Sequence, residues 1–133
     1  MKHLNLSGCK FITKLPALCT PNLETLDLSY CENLVKIDES GKFLHKLKTW
    51  NLIGCKSITK LPVLCTPNLE TLNLSYCENL VEIHESGEFL HKLKAWILNF
   101  CQKLQNLPNN LMLTSLEVLE ILILYGWDRK SVV

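Results

Sequence analysis

LPALCTPNLETLDLSYCENLVKIDESG, residues 15–41, returns 46 residues later as LPVLCTPNLETLNLSYCENLVEIHESG, residues 61–87. The match extends outward without a gap. Leu4 to Lys48 aligns on Trp50 to Lys94, and only eight of those 45 positions differ. Self-similarity at a fixed period decides the architecture before any local propensity does. Inside each duplicate runs a shorter frame, L-x-x-L-x-L-x-x-C-x-x-L. It passes through Met1, Leu4, Leu6, Cys9 and Ile12, then through Leu23, Leu26, Leu28, Cys31 and Leu34. Leu47, Trp50, Leu52, Cys55 and Ile58 form the third copy, and Leu69, Leu72, Leu74, Cys77 and Leu80 the fourth. The fifth is Leu93, Trp96, Leu98, Cys101 and Leu104; a sixth, Leu116, Leu119 and Ile121, has Leu124 where cysteine is expected. The copies start 22, 24, 22, 24 and 23 residues apart.

The L-x-L centre alternates with period two, so it predicts a short strand with one face buried. One such strand cannot bury that face alone. Stacking the next copy pairs the strands in parallel and prolongs the core. The return path carries Leu15-Pro16, Leu61-Pro62 and Leu107-Pro108, and proline there blocks a regular helix. The expected fold is an α/β solenoid: about six repeats, short parallel strands on the concave face, irregular or 3₁₀ return segments, and no recognisable caps. Residues 42–46 and 88–92 are expected to make at most a helical turn. The array is expected to span residues 1–126, with 127–133 as a tail outside the repeat.

Composition narrows the function. The formal net charge is +1, so the chain has no general electrostatic pull toward nucleic acid or acidic lipid. No run of eighteen apolar residues suggests a membrane span. MKHLNLSG at the start has no apolar stretch of the kind a secretory signal needs. The seven cysteines follow the repeat period and not a disulfide framework, which predicts reduced thiols in a reducing compartment.

LNLSGCK, TPNLETLDLSYCENLVKI, FLHKLKTW and LPNNLMLTSLEVL together resemble the leucine-rich region of TIR-type nucleotide-binding plant disease-resistance proteins. The resemblance reaches from Met1 to about Gly126. It implies a cytoplasmic or nuclear protein in plant defense. Its partner would be a pathogen protein or the nucleotide-binding module of the parent receptor. That family also carries a signalling domain and a nucleotide-binding module, yet no G-x-x-x-x-G-K-[ST] occurs here. The frame opens at Met1 and dissolves after Gly126, so the chain reads as a fragment or a truncated relative, able to self-associate through uncapped ends. A cysteine-bearing adaptor that selects substrates for a ubiquitin ligase is the alternative reading, and a piece without independent function is another.

The residues offer no chemistry of their own. Zinc needs four thiolate or imidazole ligands, usually from close C-x₂₋₄-C pairs. None exists, and His3, His45, His84 and His91 have no ligand spacing. Cys9, Cys31, Cys55, Cys77 and Cys101 are expected to form a buried ladder whose S–H groups donate weakly to loop carbonyls. Apolar surroundings should raise their pKa, which disarms them as nucleophiles. No cofactor, metal or catalytic residue is therefore expected. Trp50 and Trp96 sit where the strand points inward, alternating with leucine down the stack. The candidate binding residues are the exposed x positions. One column is Asn5, Asp27, Asn51, Asn73, Ile97, Glu120; the next is Ser7, Ser29, Ile53, Ser75, Asn99, Leu122; the third is Gly8, Tyr30, Gly54, Tyr76, Phe100, Ile123. All three are expected on the concave face, with the tyrosines as anchors.

Overall fold

An inward leucine on every strand needs the next strand's leucine beside it, and the chain answers with one parallel sheet. A computed structural model describes residues 1–16, 20–37, 44–62, 66–84, 93–105 and, for the backbone, 121–123. Ten strands occur in the described residues: β1 (His3–Asn5), β2 (Lys14–Leu15), β3 (Thr25–Asp27), β4 (Lys36–Ile37), β5 (Thr49–Asn51), β6 (Lys60–Leu61), β7 (Thr71–Asn73), β8 (Glu82–Ile83), β9 (Ala95–Ile97) and β10 (Ile121–Ile123). The main sheet runs β1-β3-β5-β7-β9-β10, all parallel, in chain order. Leu4 pairs with Leu26, Leu26 with Trp50, Trp50 with Leu72, and Leu72 with Trp96. This is the register that the leucine spacing predicts.

Behind the sheet lies one continuous core. Leu23, Leu26, Leu28, Cys31 and Leu34 and their counterparts in the third to fifth repeats are buried, while Leu4, Leu6, Cys9 and Ile12 are only partly covered. Trp50 and Trp96 are both buried and take turns with leucine down the central column. Each fully buried leucine or isoleucine contributes about 1.5–3 kcal/mol, which is how strands of three residues hold.

The return path is extended, with turns. β2 pairs with β4 and β6 with β8, in parallel, two residues each. Pro16 and Pro62 follow β2 and β6, and their missing N–H groups help keep these pieces short. Neither α-helix nor 3₁₀ helix occurs among the described residues. Residues 44–46 form part of a turn; 42–43 and 88–92, the rest of the expected helical turns, lie outside the described residues.

The sixth strand corrects the sequence frame. Ile121 pairs with Ala95, Leu122 with Trp96 and Ile123 with Ile97. The register is therefore three residues later than Leu116-Leu119-Ile121 predicts. The segment holds two overlapping frames, and Leu119-Leu122-Leu124 has leucine at all three positions. It also places β-branched Ile121 and Ile123 in the strand, where they are favoured. Leu122 thus occupies the central position of the stack instead of the second column. Ile123 stands opposite Ile97, in the first column and not the third. Glu120 lies outside the described residues.

Candidate functional site

The sheet strands β1, β3, β5 and β7 end in the same side-chain-to-backbone bond. After the inward leucine of β3, the Asp27 side-chain oxygen Oδ1 accepts the Ser29 N–H at 2.9 Å. Asn5 does the same for Ser7 (2.9 Å), Asn51 for Ile53 (3.0 Å) and Asn73 for Ser75 (3.0 Å). The first column is thus a row of side-chain caps, where aspartate and asparagine are interchangeable because only an acceptor oxygen is used. Ile97 has no such oxygen, and the buried Asn99 Oδ1 beside it has no hydrogen-bond partner.

The chain then turns away from the sheet. Cys31 N–H donates to Leu28 O at 3.2 Å, and Leu34 N–H to Cys31 O at 3.1 Å. The third residue of the first turn has positive φ: +73° at Gly8, +59° at Tyr30, +72° at Gly54, +61° at Tyr76 and +59° at Phe100. A turn of this kind favours glycine at that place, and an aromatic residue there carries left-handed strain. The third column is therefore a turn rim and not part of the strand face. Its members interlock. The Tyr30 ring covers Gly54 so closely that a Cβ on Gly54 would lie 2.6 Å from Tyr30 Cδ1. The Tyr76 ring stacks on Phe100, centroids 5.0 Å apart and planes 16° from parallel. Both tyrosines stay open to solvent, Tyr30 at 54% and Tyr76 at 46%.

The second column departs from expectation. Ser29 and Ser75 are buried. Ser7 is exposed, and Ile53 and Asn99 are half-buried. The open strand face is made instead of the first column and of a column that the sequence frame passed over: His3, Thr25, Thr49, Thr71 and Ala95. Its signal was the x immediately before the central leucine, filled by threonine three times. His3 Nδ1 and Thr25 Oγ1 lie 2.6 Å apart.

The cysteines tie one repeat to the previous one. Cys31 Sγ donates to Leu6 O at 3.2 Å, Cys55 to Leu28 O at 3.1 Å, Cys77 to Leu52 O at 3.2 Å and Cys101 to Leu74 O at 2.9 Å. Each of those carbonyls also accepts the N–H of the cysteine in its own repeat, so both lone pairs are engaged. These four thiols are buried and free, and Cys9 is half-buried. Burial pushes Cys55 up to about 12 and Cys101 up to about 11, and raises Cys31 and Cys77 as well. A thiol held up in this way is a poor nucleophile at neutral pH. Among the described residues, no group of three or more His, Cys, Asp or Glu side chains is placed to hold a metal ion. No helix described here is long and apolar enough to cross a membrane.

The comparisons agree with this geometry. The family model for the leucine-rich repeat matches residues 1–20, 22–44 and 68–91, just over half of the chain. Residues 45–67 carry the same frame and the same strand in the structure without being matched. No curated protein and no solved structure matches the sequence. With its frame, its parallel stack and the family match in agreement, the chain belongs to the leucine-rich repeat family.

Proposed function

We propose that the chain is a protein-recognition module that engages its partner across the strand face and the adjoining aromatic rim. The parent system we infer is an intracellular plant immune receptor, in which this region senses a pathogen protein or holds the receptor's own nucleotide-binding module in check. The observation that carries the reading is the rim. Two half-exposed tyrosines are kept in a strained backbone conformation, each braced by the next repeat. Rigid, exposed aromatics are favoured interface anchors. On the strand face that adjoins the rim, Asp27, Asn51, Asn73, Thr49 and Thr71 supply polar groups. Four buried free thiols suit a reducing cytoplasm or nucleus. The parentage rests on the sequence resemblance alone, and neither catalysis nor a cofactor is part of the reading.

The test is site-specific photo-cross-linking. The chain is expressed in leaf tissue with a panel of pathogen effectors and a receptor nucleotide-binding module. The cross-linker is placed at Tyr30 or Tyr76, or at Lys14 or Lys60 on the return side. Cross-links to one of those proteins from the tyrosine positions, absent from the lysine positions, are expected. Binding that maps to the return side, with Tyr30→Ala and Tyr76→Ala both harmless, would defeat the reading.

A further inference from the structure

The residue before each of the sheet strands β1, β3, β5, β7 and β9 alternates in charge: Lys2, Glu24, Lys48, Glu70, Lys94. Backbone bonds fix this row in register. Glu24 N–H donates to Lys2 O at 2.7 Å, and the same bond recurs at 2.8 Å from Lys48 to Glu24, from Glu70 to Lys48 and from Lys94 to Glu70. The row lies at the strand-entry edge of the sheet, the end opposite the tyrosine turns that follow the strands. Glu24 reaches Lys2 at 4.0 Å and Lys48 at 3.8 Å, and Glu70 reaches Lys94 at 3.8 Å. These contacts are long, and their lysine ends are the more solvated: Lys48 and Lys94 are each 56% exposed, Glu70 40% and Glu24 30%. At such distances, and with every one of these side chains in part open to solvent, the row stays accessible to another partner. Lys46, which flanks the row, is turned onto Asn22 Oδ1 at 3.0 Å.

Of these five charges, the last four, Glu24 to Lys94, are evenly spaced, alternate in sign and are their own complement after a half-turn; Lys2 lies beyond the pairing. Glu24-Lys48-Glu70-Lys94 read backwards is Lys94-Glu70-Lys48-Glu24. We propose that this edge is a self-association surface, on which a second copy of the chain docks about a two-fold axis between Lys48 and Glu70. Lys48 then faces the partner's Glu70, and Glu24 faces the partner's Lys94, with both contacts repeated by symmetry. Such an isologous contact is closed and stops at two copies. It is independent of the strand-face reading above.

Pitch selects this occupant over others. Neighbouring strands are about 4.8 Å apart, so the row presents one charge per strand spacing. A second stack of the same frame has the same pitch and stays in phase along the whole row. A helix rising about 1.5 Å per residue or a strand rising about 3.3 Å per residue does not share it. A continuous polyanion would meet Glu24 and Glu70. Exposed ion pairs contribute little one by one, so the association is weak and salt-sensitive.

The experiment is sedimentation equilibrium of the whole chain at about 0.02 M and about 0.5 M salt, a range over which the Debye length shrinks several-fold. A monomer–dimer equilibrium is expected at low salt, weakening about tenfold or more at high salt as screening takes hold. Lys48→Glu and Glu70→Lys should each abolish the dimer while leaving the circular dichroism unchanged, because both side chains are solvated. An equimolar mixture of the two variants should dimerise again, since their rows complement each other position for position. Four results would overturn the proposal: a wild-type chain that stays monomeric at low salt, open-ended growth beyond two copies, a dimer indifferent to either reversal, or a mixture that remains monomeric.

Discussion

In residues 4–48 the turn glycine, Gly8, has open space where a Cβ would go. In residues 50–94 its counterpart Gly54 lies under the Tyr30 ring. The two units are nearly the same sequence in different surroundings. Leu4 is half-buried and Trp50 fully buried; Cys9 is half-buried and Cys55 fully buried. Tyr30 lies on a glycine and Tyr76 on a phenylalanine. The return strands pair lysine with lysine in the first unit, Lys14 with Lys36, and lysine with glutamate in the second, Lys60 with Glu82. Identical residues thus acquire different roles from the residue one repeat away. In a stack, the neighbour some 22–24 positions along the chain sets burial, pKa and tolerance more than the local sequence does.

The largest expected contrast is at the central column. Trp50→Ala should cost about 3–5 kcal/mol, the usual cost of emptying a buried aromatic site. Leu4→Ala, half-solvated and next to a single strand neighbour in β3, should cost under about 2 kcal/mol, since less area leaves a covered site. Urea unfolding of both variants measures this. Equal losses would mean that the first repeat is as tightly held as the third, contrary to their burial.

The two glycines should separate next. Gly54→Ala adds both left-handed strain and a clash with Tyr30, and should cost about 2–3 kcal/mol. Gly8→Ala adds only the strain, about 1 kcal/mol. Removing the ring sharpens the comparison. With Tyr30→Ala already in place, the cost at Gly54 should fall to that at Gly8, a coupling read by a double-mutant cycle. Costs that simply add would show that the ring does not rest on Gly54.

These contrasts also mark what the sequence could and could not tell. The register of β1, β3, β5, β7 and β9 was legible because the spacing of the inward residues encodes it directly. The cysteine phase was legible because a small residue recurs where the strand bends away. The roles of the outward residues were less so. Asn5, Asp27, Asn51 and Asn73 share a side-chain acceptor, which hinted at a cap, but reading them as free surface needs no less of the sequence. Ser29 and Ser75 alternate correctly with buried leucines and are buried nonetheless, because the strand has already ended at Asp27 and Asn73. Glycine and tyrosine sharing one position was the clue to positive φ at the rim. In the sixth repeat, Leu116-Leu119-Ile121 and Leu119-Leu122-Leu124 both satisfy the apolar pattern, and only pairing with β9 decides between them.

The buried thiols give a contrast between pH ranges. Folding raises Cys55 to about 12 and Cys101 to about 11 from an ordinary value of 9.0. The native chain therefore keeps protons that the unfolded chain releases. This contribution to stability is fully present below about pH 9 and is lost as pH rises toward 11–12. Tm should fall through that window, and the fall should shrink in a Cys55→Ala, Cys101→Ala double variant. An unchanged pH profile in that variant would assign the alkaline loss to other groups.

The smallest effect is the one that separates the return strands. Lys14 and Lys36 stand side by side in β2 and β4, both exposed, whereas Lys60 faces Glu82 in β6 and β8. Like charges on paired strands repel and opposite charges attract, each by a few tenths of a kcal/mol at the surface. Lys36→Glu copies the second unit's pairing into the first and should add up to about 0.5 kcal/mol. Glu82→Lys copies the first into the second and should remove about as much. Both changes should fade in high salt, because solvated charges are screened. The pair of substitutions is informative through its opposite signs. A loss at Lys36→Glu would mean that Lys36 packs its stem on Val35 or Pro62, which line the same shallow groove, and that packing outweighs charge there. Gains or losses of the same sign at both sites would show that the two return sheets do not obey one rule.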